Sequence, residues 1–379
     1  MGPSTLPVLA CAPEGGAPDP GEGLVARFAG PPDRPAQGKL YDLCFGKDDG
    51  ARALPWRYDG CPHGSTVAPI ALASDGQMQA SYACSPRRVR YRGEDPGACM
   101  VGQTGDVMTH PELRSKGVFS ALHWQAMEEA RRRTWPAAWG LPNQNSGRIF
   151  FGKLDWQLAG HIGPWNFVLS TDLRAREVRL QNGRLAMLGT PWAAWRGAQR
   201  RARMRSRAAG LEVTVLERFP EEVAGVSEYV EPRFDWMVHR DAAYLNWRYI
   251  AAPSRAFRVF GVHDLGGHLV GYSVVQRPAP GQAVGIVSDL LGCDQAAESA
   301  ALDAALAGLA GMGSVIVRAY GMQGSHWESV LARGGFRRPR GYKPVGAYTL
   351  DGAHPLGRTT LSTAGWYFTD GDRDTETVR

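Results

Sequence analysis

The stretch VMTHPELRSKGVFSAL, Val107 to Leu122, gathers residue types that can do chemistry. Asp106 stands just before it, His110 follows within a few residues, and Arg114, Lys116 and Gly117 come next. A carboxylate and an imidazole are proton-transfer groups, and histidine titrates close to neutral pH. Two cations beside a glycine point to an anion. The same residues also compose an ordinary solvated basic turn, with Asp106 as a cap or turn residue and His110 as an exposed connector.

The elements around the stretch decide what the turn offers. Pro111 ends a strand, since proline cannot donate to a central ladder. From Val118 onward, Val118, Phe119, Leu122, Ala126 and Ala130 recur at helical spacing. Arg131 to Arg133 fall in the last turn, where cations suit the helix dipole, and Pro136 lies beyond. Arg114 to Gly117 therefore sit at a helix N-terminus, where free backbone N–H groups and the dipole favour negative charge. Gly117 lets a ligand come close to the backbone. In physical terms the turn is a pyrophosphate cradle, with the plain basic connection as its rival.

The chain also repeats itself. WRYDGCP (Trp56 to Pro62) and WRYIAAP (Trp247 to Pro253) share W-R-Y-x-x-x-P at an offset of 247 − 56 = 191. Gly76 and Gly267, each between two alternating runs, keep it: 267 − 76 = 191. Glycine between alternating runs is a hairpin signal. Asp106 and Asp289 follow at 289 − 106 = 183, each after a strand-like run and before a helical one. Each half reads strand, strand, strand, helix, strand, helix, an α/β (α+β layered) unit with a mixed sheet. Trp56 and Trp247 read as core, whereas Arg57 and Arg248 are able to meet an anionic acceptor group.

Bulk properties set the frame. The chain has 379 residues, 44% of them hydrophobic, a formal net charge of +6 and a pI near 9.1. That length predicts two domains. The expected division is a disordered Pro/Gly-rich tail over 1–37, a domain over 38–170, an Arg-rich linker over 171–210 and a second domain over 211–379. The linker carries WRGAQRRARMRSRAAG, six arginines without an acid. It lacks the aromatic interleaving of nucleic-acid modules and the apolar face of a membrane helix, so neither partner is expected. The six cysteines give no metal or disulfide framework, and a cytoplasmic location is expected. LPVLAC (Leu6 to Cys11) lacks the basic leader of a lipoprotein signal.

THPELRSKGVFSAL resembles the acyl-CoA-binding motif of the GNAT N-acyltransferase superfamily, Arg/Gln-x-x-Gly-x-Gly/Ala after a cofactor-carrying strand. Arg114 and Gly117 match it, while Phe119 stands where the family has Gly or Ala. NQNSGRIFFGKLDW (Asn143 to Trp156) resembles the family's later helix, and the element order is similar too. The architecture resembles a tandem GNAT protein: two GNAT-like domains, each a mixed, mostly antiparallel sheet flanked by helices. The resemblance implies acetyl-CoA or another acyl-CoA as co-substrate, without a metal. It implies cofactor contacts at Val107, Met108, Thr109, Arg114, Ser115, Lys116, Gly117, Val118, Phe119, Asn145 and Phe151. The strand N–H groups around Val107 to Thr109 would hold the pantetheine arm and polarise the acyl carbonyl. Phe151 stands where many members carry a tyrosine acid, which leaves Asn145, Ser146 or water for that role. Asp106 and His110 are the candidate bases.

The second half lacks the cradle, because Ala297 occupies the place of Arg114. One acyl-CoA, bound by the first half, is expected, with a small-molecule amine as acceptor. An amino sugar, an amino acid or a secondary-metabolite intermediate would fit, and the oligomeric state is left open. Two other readings stand beside it: acyl or aminoacyl transfer from a carrier, and a non-catalytic acyl-CoA sensor.

Overall fold

The computed structural model describes residues 19, 21, 23–92, 97–169, 210–254, 256–359 and 361–373. The Arg-rich run from 195 to 209, Cys11 and the acids after Arg373 lie outside the described residues. The chain divides into two compact units. One is Met1–Gly160 with Pro344–Ser362, and the other is His161–Lys343 with Thr363–Arg379.

The first unit runs β1 (Leu24–Phe28), α1 (Arg34–Phe45), α2 (Gly50–Tyr58), β2 (Pro69–Ala73), β3 (Met78–Tyr91), β4 (Gly97–Thr109), α3 (Val118–Arg132), β5 (Ala137–Gly140) and α4 (Gln144–Lys153). Its strands lie in the order β1-β2-β3-β4-β5, and the strand Lys343–Thr349 then pairs antiparallel with β5 from Gly346 to Thr349. The β2–β3 hairpin turns at Gly76, whose φ of 80° is a left-handed value that side chains resist. Successive strand residues point to opposite faces. Ala80, Tyr82 and Cys84 therefore enter a core with Val118, Leu122, Ala126 and Ala130 of α3, with Phe150 and Trp156 beside them. Ala83, Ile70 and Met108 meet Leu40, Tyr41, Leu54 and Tyr58 of α1 and α2 on the other face.

The second unit takes over within β6 (Gln157–Val168), followed by β7 (Glu212–Leu216), α5 (Val223–Val230), β8 (Trp236–Val238), α6 (Ala242–Leu245), β9 (Phe257–His263), β10 (Leu269–Gln276), β11 (Val284–Gly292), α7 (Gln295–Gly311), β12 (Ile316–Met322) and α8 (His326–Arg333). Its sheet order is β6-β12-β11-β10-β9-β7. The turn at Gly267 has φ 81°, matching Gly76. α7 buries Ala301, Leu302, Ala305 and Leu309 against Val275, Val287 and Val317. The second W-R-Y continues from α6 as a π-helical turn, Asn246–Ile250. Each unit is thus a mixed, mostly antiparallel sheet flanked by helices.

Three expectations change. The tail expected over 1–37 is too long, since Leu24–Phe28 pairs antiparallel with β2 and Arg34 already begins α1. Glycine and proline density hid that short strand. Two helices, α1 and α2, precede the hairpin, so the first W-R-Y lies on a helix. The boundaries expected at 38–170 and 211–379 also differ from the contact pattern. Ile162–Val168 pairs with β12, and Gly346–Thr349 pairs with β5. Two distant pieces of chain therefore build the first unit's sheet.

A fragment of residues 19–160 leaves the outer edge of β5 bare and loses Tyr348 from the core. We expect no cooperative thermal transition from it, and a transition restored when a peptide of residues 344–362 is added. Cooperative melting of the fragment alone would show the added strand to be dispensable.

Candidate functional site

The centre of the first unit is the end of β4. This strand pairs with β3 along its length but with β5 only at Gly102, Gln103 and Thr104. After Gly140 the chain leaves β5 for α4, so β4 from Gly105 to Thr109 has no strand partner on that edge among the described residues. Its backbone groups are therefore available to a ligand. The same stretch is bulged. Ser81 faces Met108 and Ala83 faces Gly105, so Asp106 and Val107 together stand opposite Tyr82. An extra residue of this kind bends a strand and re-aims its groups. Asp106 takes φ 45°, a left-handed value that aspartate tolerates better than most residues.

The Asp106 side chain is buried on the α2 face. It forms an ion pair with Arg57 and accepts a hydrogen bond from the Tyr58 hydroxyl at 3.2 Å. Burial first, and then the Asp106 carboxylate, hold Tyr58 protonated well above the ordinary tyrosine range. Asp106, expected as a candidate base, is therefore engaged as a structural anion. Arg57, read as able to meet an acceptor's anionic group, meets the protein's own carboxylate.

Tyr82 grips the bulge from the opposite face. Its hydroxyl lies 3.2 Å from Thr104 Oγ1 and 3.1 Å from His123 Nδ1. The His123 ring is fully buried among Trp124, Phe150, Trp156 and Tyr348, and its Nε2 has no hydrogen-bond partner. Burial, and secondarily Arg131, lower its pKa to about 3, so the ring is neutral. Sequence reasoning missed this group. A signal existed, because His123 falls four residues after Phe119 on the apolar stripe of α3.

The basic turn closes the open edge at its far end. Gly117 caps α3 with φ 86°, and no side chain caps the helix. The first intrahelical bond runs from Ala121 N to Gly117 O at 3.1 Å, so the Val118, Phe119 and Ser120 N–H groups have no partner within the helix. Ser115 also takes a left-handed φ of 66°. Arg114, Ser115, Lys116 and Gly117 are exposed, and a Cβ built on Gly117 would meet nothing within 4 Å. Free donors, two cations and open space thus coincide.

The other candidates are spread around this end of the strand. Val107 and Thr109 are half-buried and Met108 is buried. His110 is half-buried; its backbone N donates to Gln79 O at 2.8 Å, and its Nδ1 makes no hydrogen bond. Asn145 is exposed in the first turn of α4, which Asn143 caps through the Asn145 and Ser146 amides. Val118 is buried, while Phe119 and Phe151 are half-buried against the core.

The second unit keeps the frame and lacks the opening. β11 also carries an extra residue, Ser288, just before Asp289, because Val274 faces Asp289 and Val275 faces Val287. Asp289 accepts from Tyr249 at 3.1 Å and from Tyr272 at 3.2 Å. Arg240 reaches it at 3.2 Å and Asp372 at 2.6 Å. Thr369 donates to Asp289 at 3.0 Å, and Arg248 Nε donates to Gly371 O at 2.9 Å, so the segment up to Arg373 covers this carboxylate. The helix that follows is capped by the chain itself: Asp294 Oδ1 accepts from Ala297 N at 2.8 Å. The sequence predicted an N-terminus offering backbone alone, and its own aspartate already takes one of those groups.

Among the described residues no group of three or more His, Cys, Asp and Glu side chains is placed to hold a metal, and no helix is long and apolar enough to cross a membrane. No disulfide joins the five described cysteines.

Residues 27–159 match the family model described as an acetyltransferase (GNAT) domain. No curated protein matches the sequence. Among solved structures, most of the chain is similar to a protein of unknown function from Enterococcus faecalis described as a probable N-acyltransferase. That likeness has 12% identity and a TM-score of 0.58, covering 86% of this chain and 73% of that one. A GCN5-related N-acetyltransferase from Kribbella flavida is 14% identical with a TM-score of 0.56, over 86% and 71% of the two chains. One from Anabaena variabilis is 12% identical with a TM-score of 0.57, over 86% and 73%. Residues 27–159 thus match a GNAT acetyltransferase domain, and the fold of the chain is similar to that of these solved structures.

His123 makes stability depend on pH. Its folded pKa of about 3 lies below the ordinary histidine value of 6.5, so the unfolded chain binds the proton first on acidification. The stability is complete above the unfolded value and falls as pH drops from there towards the folded one, by about 1.4 kcal/mol per unit. Chemical denaturation between pH 7 and pH 4 should show this slope in the wild type and a shallower one in His123→Phe. Parallel slopes would remove His123 as the source.

Proposed function

We propose that the protein is an acyl-CoA-dependent N-acyltransferase that binds one acyl-CoA in its first unit and transfers the acyl group to an amine of a small molecule. The carrying observation is the coincidence, in the family-matched region, of an unpaired, bulged stretch of β4 with the uncapped, cationic N-terminus of α3. The pyrophosphate would sit on the Val118 to Ser120 amides beside Arg114, Ser115 and Lys116, with Gly117 leaving the approach clear. The pantetheine arm would lie along Val107, Met108 and Thr109, where open backbone groups accept its amides. Phe119, Asn145 and Phe151 would line its other side.

Transfer requires the amine nitrogen to attack the thioester carbonyl, the carbonyl oxygen to gain negative charge, and the thiolate to leave. Backbone N–H groups at the bulge are suited to the developing oxyanion, because fixed dipoles need no rearrangement as charge appears. Alignment of two bound substrates supplies much of the rate. Asp106 is occupied by Arg57 and Tyr58, so the proton-accepting role falls to His110, whose Nδ1 makes no hydrogen bond. Phe151 has no proton to give the thiolate. Asn145, Ser146 or water at the start of α4 takes that part. Asp294 at the second helix and the segment covering Asp289 support a single site.

Calorimetric titration of acetyl-CoA and CoA tests the reading. We expect about one site per chain in the wild type and none in Gly117→Trp or Arg114→Glu, each checked for an unchanged fold. The cradle then predicts a screen of amine acceptors in which His110→Ala lowers kcat. No binding of either ligand to the wild type would overturn the acyl-CoA reading.

A further inference from the structure

We infer that Tyr58, acting with Arg57 through the Asp106 carboxylate, is a positioning residue that fixes the β4 bulge in the conformation an acyl carbonyl requires. The inference rests on the acyl-transfer reading and adds to it residues that touch no substrate.

The first ground is repetition. Tyr58 and Tyr249 are related by 249 − 58 = 191, and Asp106 and Asp289 by 289 − 106 = 183. Both tyrosines donate to their aspartate, at 3.2 and 3.1 Å. In the first unit the aspartate is one of the two bulged residues, and in the second it directly follows the extra residue, Ser288. A tyrosine-to-aspartate bond at a bulge, kept in both halves while the helix N-termini diverged, marks a device that belongs to the bulge.

The second ground is backbone geometry. Asp106 holds φ 45°, a left-handed value that is unfavourable for an L residue. Such a conformation persists only where surrounding contacts determine it. Here Arg57 and Tyr58 hold the side chain on one face. Tyr82, tied to Thr104 and His123, stands opposite the same two residues on the other. Val107, next in the chain, lies on the open edge. Releasing Asp106 loosens the backbone rotations that aim the peptide group between Asp106 and Val107, and with it the Val107 N–H.

The third ground is the difference between the units. In the second, the Asp289 carboxylate also binds Thr369 of the covering segment, and Arg240 is shared with Asp372. In the first, the same bond stands beside an unpaired stretch of strand. Tyr58→Phe and Tyr249→Phe therefore remove equivalent hydroxyls, and only the former should alter ligand recognition.

The experiment uses the full chain with both variants. Hydrogen exchange is followed in the peptide covering residues 103–110, and acetyl-CoA and CoA are titrated. In Tyr58→Phe we expect exchange in that peptide to quicken about tenfold. Its preference for acetyl-CoA over CoA should shrink, as expected when an oxyanion-type donor is misaimed. Tyr249→Phe should lower the melting temperature comparably yet leave the peptide and the preference as in the wild type. If Tyr58→Phe does not fold, Arg57→Lys replaces it, keeping the charge and losing the planar fork. Equal exchange in wild type and Tyr58→Phe, or the same change in both tyrosine variants, would overturn the positioning role. If the wild type binds neither nucleotide, the acyl-CoA reading falls. Faster exchange in Tyr58→Phe alone would then leave the clamp standing without it.

Discussion

A carboxylate buried at a strand bulge has to be answered by charge and hydrogen bonds, and most of the first unit's site follows from meeting that demand. Removing an ion from water costs several kcal/mol, and an ion pair recovers that only with good geometry. α2 supplies the geometry by presenting Arg57 and Tyr58 as neighbours, one cationic and one a neutral donor. The helix must therefore lie against the end of β4, and α1 must lie beside it to close the core around Tyr58 and Leu40. The bulge in turn bends β4 there. β5 pairs with it only as far as Thr104 before the chain turns off into α4, and that leaves the open edge.

The two strand-to-helix junctions show how small a change separates a ligand site from an ordinary connection. Asp294 caps its helix with a side chain, an interaction worth about 1 kcal/mol. Gly117 forgoes that cap. Left to itself, the α3 junction is the weaker design, with unpaired amides and two like charges close together. An anion repairs both defects at once, since it accepts from the amides, meets the dipole and neutralises the cations. The second junction already holds its anion, and a second negative group would meet repulsion there.

Much of this was legible in the sequence, and the exceptions have physical causes. Val118, Leu122, Ala126 and Ala130 announced α3 by spacing, and Gly76 and Gly267 announced the hairpins through a conformation only glycine takes cheaply. Arg114 and Gly117 marked the junction for the same reasons. Local pattern could not reveal long-range pairing. Nothing around Gly346 says that it belongs beside Gly140, because a strand's pattern records which face is buried and not which neighbour it has. The roles of Arg57 and Asp106 were hidden likewise, 49 residues apart in sequence. The repeat named their neighbourhood without naming the bond. Tyr82 and His123 were hidden by apolar company, since a polar residue on an apolar stripe reads as core.

Buried carboxylates and their donors hold the covering segment of the second unit in place. Asp289 and Asp372 are both buried and share one guanidinium, Arg240. Both carboxylates are shut away from water and depend on the donors around them. Burial, with Asp289 nearby, pushes the Asp372 carboxyl above its ordinary range even though Arg240 pulls the other way. Thr369 answers both carboxylates, its N–H donating to Asp372 and its hydroxyl to Asp289, which keeps the segment from Thr363 to Arg373 in contact with Asp289. In the first unit Arg57 and Tyr58 answer the carboxylate from α2. The duplicated frame thus supports two outcomes. Where neighbours within the frame satisfy the aspartate, the strand edge stays open. Where the aspartate also takes Thr369 of a later segment, the chain covers that place itself.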